Sequence, residues 1–271
     1  MYDYVGVDKR RVCYDRQVCT YNIRRGVFTE RKTPTSCVSR RTAMEQAGDS
    51  TPTRSIMTPL SEREAPVDLL GRWSAGAVVA LGALYVVVLA GGVFTVGLEQ
   101  PIGDPILAIM EVITVLSAVA VTTMVTALAA DAPPARRMYG TLSVIFTGLF
   151  AGTTTVVHVI ALSAARELNV PALVWPSMLY AAELAAWDVL LGVALVFSAL
   201  SLEESRRLRV IRIGLFTAGA LCLFGIVGPM LGRMAFQRIG IVGYAVVLPS
   251  ICALVAREFR GRASTRRDGG I

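Results

Sequence analysis

The chain has 271 residues, of which 54% are hydrophobic and only 17% charged; a soluble globular domain carries roughly 25% charged residues, so lipid is expected as the main solvent. The net charge of +7 would suit nucleic acid, but the arginines flank apolar blocks and form no basic face with interleaved aromatics, which excludes that partner. The five cysteines (Cys13, Cys19, Cys37, Cys222, Cys252) contain no CxxC pair, and the two inside apolar blocks read as small packing residues.

Residues 1–68 are polar and rich in Arg, Ser and Thr, with no sustained helical or strand period. They cannot bury enough apolar surface to offset chain entropy, and a disordered extension is expected there. No apolar signal segment follows Met1. From Met57 the text reads as an ordinary start, Met57-Thr58-Pro59-Leu60-Ser61-Glu62, so residues 1–56 are expected to stem from a misassigned start.

Six apolar blocks follow: 74–96, 105–129, 139–163, 174–202, 213–231 and 239–256. Each approaches or exceeds the roughly 20 residues that a helix needs to cross a ~30 Å hydrocarbon layer. A helix satisfies nearly all its backbone groups internally, as hydrocarbon demands. Barrel strands would alternate over about ten residues, which these blocks do not do. The expected fold is therefore all-α: a polytopic transmembrane helix bundle of about six spans over 69–259, with a basic tail at 260–271. Pairs of glycines (Gly91-Gly92, Gly148 with Gly152, Gly214 with Gly219) mark expected points of close helix contact. Pro229 and Pro249 are expected to kink the last two spans, and Trp73 and Trp175 to anchor span ends at the interface.

Counting arginines sets the orientation. With the N-terminus inside, one side carries Arg136, Arg137, Arg206, Arg207, Arg209, Arg212, Arg257, Arg260, Arg262, Arg266 and Arg267, and the other only Arg166, Arg233 and Arg238. Eleven against three predicts both termini cytoplasmic in a multi-pass cell-membrane protein, with the basic loops and tail meeting anionic lipid.

Four ionisable residues fall inside the blocks: Glu111, His158, Glu183 and Asp188. A charge at the bilayer centre costs about 2.5–3.5 kcal/mol on insertion scales, so each needs a reason. Residue counting puts Glu111, His158 and Glu183 in one layer of the outer half, with Asp188 deeper. Tyr180, Glu183 and Trp187 are spaced i, i+3, i+7 and share a helix face. Asp188, about 140° further round, is expected to face other neighbours. Thr154 and Thr155 add hydroxyls one turn from His158.

Two readings stay open. The layer binds a proton or a small polar ligand through Glu111, His158, Glu183, Asp188, Tyr180 and Trp187, or these groups only fix packing by hydrogen bonds between helices. Within the first, His158 with Glu111 and Glu183 is an acceptable zinc or iron set, which would make the chain a metal-dependent membrane enzyme or redox subunit; the second would make it a structural or partner-binding membrane subunit. The single histidine excludes bis-His haem within one chain, no phosphate-binding glycine loop occurs, and no cofactor is expected. No nucleophile–base motif favours an enzyme and no repeat of three plus three spans favours a transporter.

Three stretches carry a resemblance: Gly103-Asp104-Pro105 with Met110-Glu111; Ala151-Gly152-Thr153 leading to Val157-His158; and Trp175-Pro176-Ser177 leading to Ala186-Trp187-Asp188 and Leu191-Gly192. Together they resemble a group of small bacterial integral membrane proteins with a six-helix core. The resemblance implies fold and location over about residues 74–256, and no activity.

Overall fold

A computed structural model describes residues 60–97, 102–168, 170 and 173–268, with side chains from residue 66 to residue 262. Among the described residues six helices are long and apolar enough to cross a membrane: span 1 (Pro66–Val96), span 2 (Ile106–Ala130), span 3 (Pro134–Ala165), span 4 (Met178–Ser201), span 5 (Arg209–Met230) and span 6 (Met234–Arg262). Among the described residues there is no strand. The protein is a multi-pass α-helical membrane protein.

The observed helices run past several expected ends because hydrogen bonding along a helix does not stop where apolar residues do. Helix begins at Leu60 and so includes residues 60–68 of the expected extension; the rest of that extension, Met57 and the N-terminal cysteines lie outside the described residues. At the other end, helix continues unbroken from Leu248 to Asp268, so residues 260–268 of the expected basic tail are helical. Span 4 instead starts four residues later than expected. Ser177 is extended, and its side chain accepts from the Tyr180 N–H at 3.2 Å, which caps the helix at Met178.

Short turns join the spans. Gly97 (φ 86°) ends span 1 and Gly232 (φ 66°) turns the chain between spans 5 and 6, both in left-handed backbone that a side chain disfavours. Each span packs on the next, and span 6 packs back on span 1, closing a six-helix ring. An even number of crossings puts the start of span 1 and the end of span 6 on one face, called the terminal face below. Inside the ring lie Val121, Met124, Phe150, Leu191, Leu195, Leu215, Leu248 and Val255, all nearly inaccessible. Cys222 and Cys252 are buried there as packing residues, with Cys252 Sγ 3.3 Å from Met124 Sδ.

The small-residue expectations divide. An added Cβ on Gly219 would come 2.7 Å from the Gly192 carbonyl, and one on Gly214 would come 2.1 Å from Ile251 Cδ1, so these positions set the approach of span 5 to its neighbours. Gly148 and Gly152 meet nothing within 4 Å and lie exposed on the outside of the ring. Spacing of small residues alone does not say which side of a helix meets protein.

Ion pairs tie the terminal face together. Arg136, at the start of span 3, donates to the carbonyls of Leu200 (3.1 Å) and Leu202 (2.9 Å), satisfying groups left open at the end of span 4. It shares Glu204 Oε1 with Arg212, each at 2.8 Å. These two guanidiniums, Arg136 first, hold the Glu204 carboxyl below its ordinary range. Elsewhere Glu258 joins Arg207 (2.7 Å) to Arg262 (3.1 Å), and Arg262 also pairs with Asp131.

Candidate functional site

Three helices carry π-helical segments: Ala161–Ala165 in span 3, Ala185–Leu190 in span 4 and Val242–Val247 in span 6. One π turn follows His158, one contains Trp187 and Asp188, and one contains Tyr244. Such bulges re-aim side chains and frequently mark functional sites.

Depth agrees with the sequence count. Glu111 is five residues into span 2, His158 seven residues from the end of span 3, and Glu183 five residues into span 4. At 1.5 Å per residue all three lie about 8–11 Å beneath the face opposite the termini. Their relative accessibilities are 3%, 4% and 9%, so all three point into protein, away from lipid.

His158 Nε2 lies 3.0 Å from Glu183 Oε1. The same oxygen accepts from the Trp187 indole N–H at 2.5 Å, one helical turn on. Trp187 is wedged edge-on against Phe150 of span 3 (4.8 Å between ring centres) and tilted against Tyr244 of span 6 (4.9 Å). Glu183 is thus bonded to the neighbouring span 3 and along its own helix, as the i, i+4 spacing requires. Tyr180 is half-buried, and Tyr180 and Tyr85 of span 1 are within electrostatic reach of Glu183. His158 Nδ1, Glu183 Oε2 and Thr154 Oγ1 are buried without a hydrogen-bond partner. The pair therefore keeps one open nitrogen and one open oxygen.

Glu111 turns elsewhere. Its Oε2 accepts from Arg166 Nη2 at 3.2 Å. Arg166 also grips Asp104 with two bonds, Nε to Oδ2 at 2.7 Å and Nη2 to Oδ1 at 2.9 Å. Asp104 Oδ1 further accepts from the Ala108 N–H at the start of span 2. These bonds, that from Arg166 foremost, hold the Asp104 carboxyl below its ordinary value of 3.8, and the Asp104 bonds raise the Arg166 guanidinium. A cavity of about 110 Å³, lined in part by Asp104, Leu107, Glu111, Ala161 and Arg166, leads from this face to the Glu111 carboxylate. Glu111 and His158 remain within electrostatic reach of each other.

Of the expected three-membered set, then, His158 and Glu183 meet directly, and Glu111 is drawn to Arg166. Among the described residues no three His, Cys, Asp or Glu side chains converge as a metal site would need. The physical reason is competition: a guanidinium already fills the place beside Glu111 that a cation would take.

Asp188 faces different neighbours from Glu183, as its position five residues on implies. It is wholly buried, both carboxyl oxygens lack a hydrogen-bond partner, and it lies against the bare backbones of Gly225 (span 5) and Gly240 (span 6). Its carboxyl makes no hydrogen bond to the His158 pair.

Residue reading missed Arg166 and Asp104. The available signal was antiparallel adjacency: the end of span 3 and the start of span 2 share a face, so a basic residue just after one and an acid just before the other can meet. An expected result follows. Asp104 is depressed in the folded protein, so its stabilising contribution is present above its ordinary value and lost as pH falls through the lowered one. Asp104→Asn should therefore melt below wild type at pH 7, and the gap should close as detergent-solubilised samples are taken below about pH 3.8. A constant gap down to pH 3 would contradict the assigned pair.

No family model matches the chain, and neither a curated protein nor a solved structure matches it.

Proposed function

We propose that this membrane protein binds a proton or small polar ligand in the buried layer centred on His158 and Glu183, with Arg166, Asp104 and Glu111 forming the vestibule. The observation that carries this reading is a nine-tenths-buried imidazole–carboxylate pair with an open atom on each partner. Packing alone would be served by closing every bond, since an unsatisfied buried polar atom costs about 1–3 kcal/mol. Nearby, a cavity carries a second carboxylate and a guanidinium, suited to receiving a charged or polar group from water. Tyr180 and Trp187 flank the layer, and Asp188 lies about a turn deeper. The excess of arginine on the terminal face supports placing that face in the cytoplasm of a cell, with the vestibule outside and anionic lipid along the basic rim.

The single histidine of the chain makes the test direct. In the full-length protein labelled with ¹⁵N-histidine, the two ring nitrogens report His158 alone. The expected result is that these ring-nitrogen signals respond to pH or to an added small polar ligand, and that Glu183→Gln alters the response. His158→Ala should lower stability by about 1–3 kcal/mol, because it leaves the buried Glu183 carboxylate short of a partner. Ring nitrogens that respond to neither pH nor ligand, together with simple loss of stability in His158→Ala, would leave the pair a packing device.

A further inference from the structure

A second feature lies at the other end of the molecule. Between the start of span 5 and the end of span 6 runs a groove of about 330 Å³ lined by Arg207, Val210, Ile211, Leu254, Arg257 and Glu258. Its walls change character along its length. Val210 and Ile211 lie between Arg209 and Arg212 in the first turn of span 5, ahead of its apolar block, and Leu254 lies near the end of the apolar block of span 6; Arg207 and Arg257 stand beyond them. Val210 is 60% exposed, so the apolar wall opens sideways to whatever surrounds the helices. One residue from the start of span 5, that is the boundary between lipid headgroups and acyl chains.

Charge singles out the occupant. Glu258 is already engaged by Arg207 Nε at 2.7 Å and Arg262 Nε at 3.1 Å. Arg257 has no acidic partner among the described residues, and neither have Arg206, Arg209 and Arg260, all exposed beside the groove. The rim therefore holds uncompensated positive charge directly above an apolar channel that opens to lipid. We propose that this groove binds one anionic phospholipid, its phosphate between Arg207 and Arg257 and one acyl chain along Val210, Ile211 and Leu254. This deepens the placing of anionic lipid along the basic rim and is independent of the His158 layer, so either can fail without the other.

The test uses the full chain in neutral detergent, titrated with phosphatidylglycerol or phosphatidylcholine and weighed intact by native mass spectrometry. One phosphatidylglycerol should be retained at energies that strip phosphatidylcholine. Each of Arg207→Gln and Arg257→Gln should weaken that retention about five-fold, from the usual contribution of one basic residue near anionic lipid. Arg257→Gln guards against misfolding, since it removes no ion pair, and Leu254→Trp should block the channel without altering charge. Arg206→Gln removes the same charge outside the groove and should leave the tight lipid in place. Equal losses from Arg206→Gln and Arg257→Gln would reduce the effect to general surface charge and overturn the site. Competition by millimolar glycerol 3-phosphate would show a site for free phosphate, and loss of a dimer instead of a lipid adduct would show a self-contact. Either result also overturns the proposal.

Discussion

Gly240→Ala is expected to destabilise the bundle by about 3 kcal/mol, the upper end of the range for overpacking a tight contact. An alanine Cβ there would sit 2.4 Å from Asp188 Oδ1 and 3.2 Å from the Gly225 Cα. The carboxylate is not the free end of a long side chain. Asp188 is short, fully buried and held within the π-helical segment of span 4, and Gly225 presents backbone, so neither neighbour gives way cheaply. Gly225→Ala should be nearly as damaging, since its Cβ would meet the Gly240 Cα at 2.7 Å and Asp188 Oδ1 at 2.9 Å. The decisive measurement is a double-mutant cycle by thermal unfolding in detergent. Asp188→Ala should recover most of the loss in the Gly240→Ala background, because it removes the nearest atom. Additive losses would show that the three residues do not share one crossing.

The second large effect is expected at Arg166. Replacing it with glutamine removes the guanidinium that faces the 3%-exposed Glu111 and breaks both bonds to Asp104. Taking one partner from a fully buried ion pair costs about 3–5 kcal/mol, because the other charge is stranded. The Arg166 side chain is 28% exposed, so water reaches part of the site and the expected loss is nearer about 2 kcal/mol. Adding Glu111→Gln should restore much of it, since a neutral amide has no charge left to strand. Were Arg166→Gln harmless alone, Glu111 would have to be neutral or otherwise satisfied in the folded protein, and the vestibule would need redrawing.

Much of the architecture is legible in the residues because the governing requirement is one-dimensional. A stretch either has about 20 apolar residues or it does not, and six stretches do. Helix ends were less legible: Ser177 capping Met178, and helix running from Leu60 and on to Asp268, depend on local hydrogen bonds that hydropathy does not register. Glycine contacts were half-legible. Gly214 and Gly219 meet neighbours, and Gly148 and Gly152, with the same kind of spacing, do not.

For the candidate site, the amino-acid sequence by itself determined depth. Distance along a helix axis is residue count times rise, so Glu111, His158 and Glu183 had to share a layer once the span ends were known. Only the tertiary structure decided partners. Azimuth accumulates by about 100° per residue, and each π turn, at Ala161–Ala165, Ala185–Leu190 and Val242–Val247, shifts the phase of everything beyond it. Which helix lies opposite is set by closure of the ring, where span 6 returns to span 1. Those two facts put His158 against Glu183, gave Glu111 to Arg166, and set Asp188 on the bare backbones of Gly225 and Gly240.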